Sequence, residues 1–185
     1  DFLLDKTVKP KPTNSVKSKK KGKEKAFQEV VEGFQKIDGL FTLYWNENTN
    51  QAYVSILPGQ FDKIYLAGLT RQSGDGYYLD GSSMLNEYPF MFRQVGKRIQ
   101  FLNANVKFRA DEDSPFRRAI ERHTSHSILS STEIASLPHP ETGAVLADIG
   151  KLFIYDIEEI TRRSQGVYSF DKKDSYFTEI KSFPN

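Results

Sequence analysis

The chain has 185 residues, with 14 Phe, 9 Tyr, a single Trp and no Cys. Because it has no Cys, a disulfide framework, a thiolate zinc site and a Cys nucleophile are excluded. No apolar run approaches the ~18 residues of a membrane-spanning helix, so no transmembrane segment is predicted.

The formal net charge of +2 comes from a basic N-terminal arm. Residues 1–26 hold nine Lys against three acidic residues, a net charge of +6, whereas residues 27–185 hold 17 basic and 21 acidic residues, a net charge of −4. Residues 1–26 have few apolar side chains to bury, and the like charges of their lysines repel one another. They are therefore predicted to be a disordered arm. The alternative is contact with a polyanion, either an anionic membrane or nucleic acid. A solvated linker is favoured because no aromatic residues are interleaved with the lysines, and no specific nucleic-acid partner is predicted.

Residues 27–74 are predicted to form a small module that begins with a helix and continues as strands. A helix over 26–37, with Gly39 as its C-cap, is predicted from apolar residues at helical spacing. These apolar residues are Phe27, Val30, Val31 and Phe34. β-rich runs at 40–46 and 51–57 flank a turn-rich tetrapeptide and therefore predict a hairpin.

Strand patterns continue through the next part of the chain. Residues 63–70 predict a strand, and the Gly-rich residues 71–82 predict a loop. A Gly-Lys dipeptide separates the runs 88–95 and 98–103, which predicts a second hairpin. Residues 106–110 alternate between apolar and basic side chains, so a further strand is expected there. Its inward side chains are expected to be Val106 and Phe108, and its outward side chains Lys107 and Arg109.

The hydrophobic period changes after Ser114-Pro115, which resembles an N-cap followed by Pro at the first helical position. The helix predicted there has one face formed by Phe116, Ala119, Ile120 and His123. Short β-like runs recur at 127–134, 144–149 and 175–183, whereas 148–161 fits either a helix or a strand and turn.

These elements predict an α+β fold, mainly antiparallel β-sheet with a few short helices. The predicted organisation has three parts: the basic arm at 1–26, the helix and β module at 27–74, and a β-rich α+β domain at 75–185. We expect the last part to be truncated at its C-terminus.

Motifs that carry chemistry are absent from the sequence. It contains no His-Glu-x-x-His, no phosphate-binding loop, no G-x-G-x-x-G and no G-x-S-x-G. His123 and His126 are three residues apart, near the acidic residues 111–113, and on a continuous helix they could reach one metal. A packing or capping role is favoured because the flanking Ser125 and Ser127 indicate that the helix ends there.

Four other patterns are weighed, and each favours a structural role. His139 lies in a Pro-His-Pro turn, and Asp75-Gly76 and Asp80-Gly81 are typical of tight turns rather than a calcium loop. Arg162-Arg163 could clamp an anion, but a salt-bridge role is favoured. Five aromatic residues at strand spacing are typical of a core, with a carbohydrate-stacking face as the alternative. They are Phe41, Tyr44, Trp45, Tyr53 and Tyr65. No catalytic, cofactor-binding or metal-binding residue is predicted.

Four segments resemble the N-terminal half of a bacterial zinc-dependent metalloprotease family. They read GLFTLYW (39–45), SSMLNEYPFMFRQVGKRIQFL (82–102), DEDSPFRRAIERH (111–123) and TRRSQGVYSFDKKDSYFTEIKSFPN (161–185). In that family, two regions of unassigned function precede a metzincin-like catalytic domain. Residues 27–74 resemble the first region, and residues 75–185 resemble the start of the second.

The resemblance implies a noncatalytic N-terminal domain of a zinc-dependent metallopeptidase, located outside the cytoplasm, either periplasmic or secreted. Its partners would be the catalytic domain of the same parent chain and a peptide or protein substrate. Zinc is expected only in that downstream domain, because no residue here matches the family's zinc site. The chain begins with Asp1 rather than Met, and we expect it to be a processed or excised piece.

Two other functions are kept as alternatives. One is a stand-alone binding module for a glycan, a peptide or an anionic surface. The other is an enzyme in its own right, which would need a cleft where Asp111 and Asp113 meet His123 or His126. The first hypothesis predicts an exposed apolar or unpaired-strand surface near the C-terminus, where the next segment would dock.

Overall fold

The computed structural model describes residues 25–74, 76, 81, 84–156 and 160–184. These residues form two four-stranded antiparallel sheets. The first sheet consists, in spatial order, of β1 (Gln35–Ile37), β2 (Thr42–Asn46), β3 (Gln51–Ile56) and β8 (Val145–Asp148). The second consists, in spatial order, of β4 (Tyr65–Thr70), β5 (Met84–Val95), β6 (Arg98–Asn103) and β7 (Ser127–Glu133). The short helices are α1 (Phe27–Val31), α2 (Arg117–His123), α3 (Ile149–Phe153) and α4 (Ile160–Arg163), and a 3₁₀ turn covers Pro58–Gln60.

Both predicted hairpins are confirmed. β2 and β3 pair from Thr42 with Ser55 to Asn46 with Gln51. β5 and β6 pair up to Val95 and Arg98, around a two-residue turn. Gly96 at the first turn position has φ of +57°, a conformation that glycine adopts without steric cost. The strands predicted at 63–70, 127–134 and 144–149 correspond to β4, β7 and β8.

The main core lies between the two sheets. Val54 and Ile56 of β3 share one hydrophobic cluster with Phe92 of β5, Phe101 of β6 and Leu152 of α3. The Phe101 ring is almost completely buried and meets four other aromatic rings at centroid distances of 4.8 to 6.4 Å. These rings belong to Tyr88, Phe90, Phe92 and Phe153. Because aromatic rings bury large apolar areas, this cluster, which joins the second sheet to α3, contributes strongly to the main core.

A smaller core covers the opposite face of the first sheet. Tyr53 and Leu146, which point away from the main core, pack against Phe27 and Val31 of α1. The Phe27 ring contacts the Tyr44 ring edge-on at 5.8 Å. The first sheet is therefore buried on both faces, with α1 on one side and the second sheet on the other.

The first helix is shorter than predicted, and the prediction of a helix over 26–37 is wrong at its C-terminal end. The helix ends at Val31, and Gly33 then adopts φ of +76°. The predicted last turn instead forms β1, which pairs with β2 from Gln35 and Trp45 to Ile37 and Leu43. Pairing with β2 satisfies the backbone groups of this segment, which outweighs its local helical pattern.

The strand predicted at 106–110 does not form. Val106 packs as expected, against Met91, Leu102 and Ala104, but Phe108 is 60% exposed rather than inward-facing. The reason is a local turn. The Asn105 side chain accepts a hydrogen bond from the Lys107 backbone nitrogen (3.2 Å), in the manner of an Asx turn.

The second helix also differs from its prediction. It begins at Arg117 rather than directly after Ser114, because the Ser114 carbonyl and hydroxyl are used in a turn with the Arg117 and Phe116 amides. Its predicted apolar face is wrong: Phe116, Ala119 and His123 are exposed, and Ile120 is half-buried. The β-like run at 175–183 is not a strand. In the ambiguous region 148–161, Asp148 caps α3 by accepting a hydrogen bond from the Lys151 nitrogen (3.2 Å).

The prediction of a mainly antiparallel sheet with a few short helices is confirmed. The predicted division at residue 74 stays a prediction, but strands from both sides of it pair with each other. β3 pairs with β8, and β4 pairs with β5. Of the predicted arm, residues 1–24 lie outside the described part of the chain, as do Asp75 and Asp80 of the predicted tight turns. Within the described part, no helix is long and apolar enough to cross a membrane.

Candidate functional site

The histidines do not form a metal centre with the neighbouring acidic residues. His123 is exposed at the last position of α2. The Nδ1 atom of half-buried His126 accepts a hydrogen bond from the Asn105 nitrogen (3.0 Å). In the turn before β8, His139 Nδ1 accepts from the Glu141 nitrogen (3.3 Å), and its ring packs on Phe27 at 5.0 Å. Across residues 25–74, 84–156 and 160–184, no three His, Asp or Glu side chains are grouped so that they could hold a metal ion.

The five aromatic residues weighed as a carbohydrate-stacking face do not share one exposed surface. Phe41, Trp45 and Tyr65 pack against the main core, whereas Tyr44 and Tyr53 pack on the α1 side. Burial raises the pKa of Tyr53, and the nearby charge of Asp148 raises this pKa further. Burial is also the main cause of the raised pKa values of Tyr44 and Tyr65. These rings are structural, as their spacing predicted.

The last described residues run across the first hairpin and close one side of the main core. We call residues 176–183 the C-terminal segment. The Asn50 side chain holds its start with two hydrogen bonds to Phe177, from Nδ2 to the carbonyl (2.7 Å) and from the Phe177 nitrogen to Oδ1 (2.9 Å). Ser182 Oγ donates to the Phe41 carbonyl (2.7 Å), and the Leu40 nitrogen donates to the Phe183 carbonyl (2.7 Å). Phe177 and Ile180 pack against the main core between these two anchor points.

A cavity of about 310 Å³ lies beneath the C-terminal segment. Five Phe side chains contribute to its wall, together with aliphatic residues of the first sheet, of α3 and of the C-terminal segment. The Phe residues are Phe41, Phe90, Phe92, Phe153 and Phe177. The charged side chains at its border, Glu179 and Lys181, form an ion pair with each other at 2.6 Å. The cavity is thus an extension of the main core and presents few polar groups to a ligand.

Exposed apolar residues surround the end of the C-terminal segment. We call Leu40, Leu57, Ile64 and Phe183 the C-terminal surface; their exposed fractions range from 38% to 69%. Hydrogen bonds link three of these positions, Leu40, Leu57 and Phe183. Besides the bond between Leu40 and Phe183, the Gln60 side chain binds the Leu40 carbonyl (2.7 Å) and the Leu57 nitrogen (2.9 Å). Ile64 directly precedes β4, an edge strand of the second sheet.

A second, more polar cleft of about 370 Å³ lies between the N-terminal half of β5 and residues 104–108. Its walls carry side-chain amides, hydroxyls, one acidic and one basic group, and an exposed aromatic ring. These residues are Asn86, Glu87, Asn103, Asn105, Lys107, Phe108, Ser125 and Ser127. Sequence reasoning missed this cleft because it placed a strand at 106–110. The turn-prone pair Asn103 and Asn105 was the available signal that the strand pairing ends there.

The described chain is an α+β domain dominated by two antiparallel sheets, and its described surface carries an exposed apolar cluster and a polar cleft. Residues 82–185, more than half of the chain, match a domain of unknown function, DUF5117. The chain therefore belongs to the DUF5117 family. No curated protein and no solved structure matches it.

Proposed function

We propose that this chain is a noncatalytic domain of a bacterial, extracytoplasmic zinc-dependent metallopeptidase. In this proposal it supports or shields the catalytic domain of the same parent chain or helps to bind the substrate. The zinc ion would belong to the catalytic domain and not to any residue of this chain. The observation that carries the proposal is the C-terminal surface, because a cluster of exposed apolar side chains is typical of a protein-protein contact.

The position of this surface fits a contact within one polypeptide. Phe183, its most exposed member at 69%, lies two residues from Asn185, so a following segment would start beside the surface. β4 begins next to Ile64 and contains no charged residue from Tyr65 to Thr70. Natural edge strands usually carry charges or prolines that prevent pairing. An uncharged edge strand beside apolar side chains therefore supports docking of further protein here.

The first test uses the polypeptide encoded by the complete reading frame. We expect a His-Glu-x-x-His helix after Asn185 and peptide cleavage that a zinc chelator abolishes. The purified 185-residue chain should cleave no peptide under the same conditions. A stop codon directly after Asn185, or chelator-sensitive cleavage by the 185-residue chain itself, would contradict the proposal.

The second test removes apolar area from the C-terminal surface in the intact product. Burial of a Leu or Phe side chain contributes about 1.5–3 kcal/mol, so Leu40→Ser combined with Phe183→Ser should release the contact between the domains. We expect lower peptidase activity and a separate, earlier unfolding transition. Val95→Ser is the matched control, because Val95 is 51% exposed at the tip of the β5–β6 hairpin. Equal effects of the two changes would argue against docking at this surface.

The stand-alone binding module remains the second candidate, and one observation favours its peptide-binding form. The polar cleft beside β5 contains hydrogen-bonding side chains that the fold itself does not use. No aromatic face among the described residues supports the glycan form, and the lysine arm on which the anionic-surface form rests lies mostly outside them.

A further inference from the structure

The polar cleft begins where the pairing between β5 and the chain after β6 stops. The Ala104 nitrogen donates to the Pro89 carbonyl at 2.8 Å. Pro89 has no N–H to return a second hydrogen bond, so this residue pair is held on one side only. In an antiparallel ladder, such hydrogen-bonded pairs recur at every second residue. The next pair would be Glu87 with Val106, but no backbone hydrogen bond joins these two residues.

Glu87 therefore directs its backbone N–H and C=O into the cleft, and no strand among the described residues pairs with it on that side. The other edge of β5 is occupied there, because β4 pairs with it through Gly68 and Glu87 and through Ala67 and Tyr88. Residues 104–108 cannot close the gap, since the Asn105 side chain holds the Lys107 nitrogen in a turn. The result is an open position in a β-ladder with a backbone donor and acceptor available to a ligand.

The side chains around this open position are also suited to a peptide. The side-chain amides of Asn86 and Asn103 form no hydrogen bond with any described residue, and a primary amide can both donate to and accept from a peptide group. Among the described residues, Glu87 and Lys107 form no ion pair, so each can meet a charged side chain of the ligand. Phe108 presents an exposed ring at one end of the cleft, where it can contact an apolar side chain.

We propose that this cleft binds an extended peptide segment, which adds to the open edge of β5 through the Glu87 backbone. The ligand's N–H and C=O replace the missing partner at Val106, and its alternate side chains face Phe108 and the two charged residues. This mode of recognition takes its affinity from backbone pairing and its selectivity from the neighbouring side chains. This inference rests on the proposed function. The bound segment would come from the peptidase's substrate, so this domain would take part in substrate binding.

The test is ¹⁵N NMR on the full 185-residue chain with a defined probe. The probe is an N-acetylated, C-amidated octapeptide of alternating Val and Thr, with one Lys and one Glu near its centre. We expect the Glu87 amide signal to shift on titration and its hydrogen exchange to slow. A probe with the same side chains and N-methyl groups on alternate amides should bind about tenfold more weakly or worse, because it cannot pair along one edge.

Two Trp variants locate the site. Ser125→Trp places a large side chain at an exposed position of the cleft wall and should weaken probe binding at least about tenfold. Ser169→Trp, at an exposed position outside the cleft lining, is the control and should leave binding unchanged. The proposal is overturned if the N-methylated probe binds equally well, if the Glu87 signal stays fixed, or if both variants bind alike. It is also overturned if chitohexaose, and not the peptide, shifts the Glu87 signal.

This experiment is independent of docking at the C-terminal surface. It uses the 185-residue chain alone, so a failure to bind peptide leaves the proposed contact with a catalytic domain standing. Conversely, peptide binding by this chain would stand even if Leu40→Ser and Phe183→Ser had no effect on the intact product.

Discussion

Replacing Gly39 with Ala should detach the end of the C-terminal segment. A Cβ at Gly39 would lie 2.6 Å from the Phe183 nitrogen and 2.6 Å from the Ser182 carbonyl carbon, and it would also meet Ser182 Oγ. Because two of these atoms belong to the backbone, no rotamer change can relieve the contact, and the segment itself must move. The two hydrogen bonds at risk join Leu40 to Phe183 and Ser182 to Phe41.

The expected loss follows from these two hydrogen bonds. Each contributes about 0.5–1.5 kcal/mol, so their loss costs about 1–3 kcal/mol. The lower entropy of an unfolded chain with Ala in place of Gly offsets about 0.4–1 kcal/mol of this. We therefore expect Gly39→Ala to lower the free energy of unfolding by about 1–2 kcal/mol.

Urea denaturation measures this change, and hydrogen exchange of the Leu40 amide locates it. Gly59→Ala is the matched control, because nothing lies within 4 Å of a Cβ at Gly59. The control should leave the stability unchanged or raise it by less than about 1 kcal/mol. If Gly39→Ala behaves like Gly59→Ala and the Leu40 amide keeps its protection, the reasoning about the close approach is refuted.

Three further predictions concern the core, a helix cap and pH. Phe101→Ala should destabilise the fold by about 3–5 kcal/mol in urea denaturation, whereas Phe116→Ala, at a site 71% exposed, should change it by less than about 0.5 kcal/mol. Asp148→Ala removes the α3 cap and should lower the free energy of unfolding by about 0.5–2 kcal/mol. The change is measured as a lower melting temperature. The raised pKa of Tyr53 means that the folded state retains this proton more strongly than the unfolded state. Its contribution to stability is complete below the ordinary phenol pKa of about 10 and is lost as the pH rises through the raised value. In an absorbance titration of the phenol groups, Tyr53→Phe should remove a late-ionising tyrosine.

The strands could be predicted where a two-residue period and a turn signal agreed. The Gly96-Lys97 turn fixed the β5–β6 hairpin, and the tetrapeptide 47–50 fixed the β2–β3 hairpin. Local sequence was a weaker guide where a distant strand competed for the backbone. Residues 35–37 continue a helical pattern, yet they form β1 because they pair with β2 along their whole length.

The residues that form the C-terminal surface and the polar cleft could not be predicted, because each set depends on contacts between residues far apart in sequence. The C-terminal surface exists only because Leu40 binds Phe183. The polar cleft exists because Pro89 returns no hydrogen bond to Ala104 and because the Asn105 side chain then turns the chain at Lys107, so that Val106 does not pair with Glu87. Their residues are ordinary in composition, and no motif marks them. The prediction that the chain has no catalytic residue had a different basis. It rested on the sequence alone, which lacks the catalytic motifs.

Our central proposal is that this domain contacts a metallopeptidase catalytic domain through Leu40, Leu57, Ile64 and Phe183. The most direct measurement compares hydrogen exchange of these residues in the 185-residue chain and in the product of the complete reading frame. We expect slower exchange around all four residues in the longer product and unchanged exchange at the β5–β6 hairpin. Identical exchange in the two proteins would contradict it.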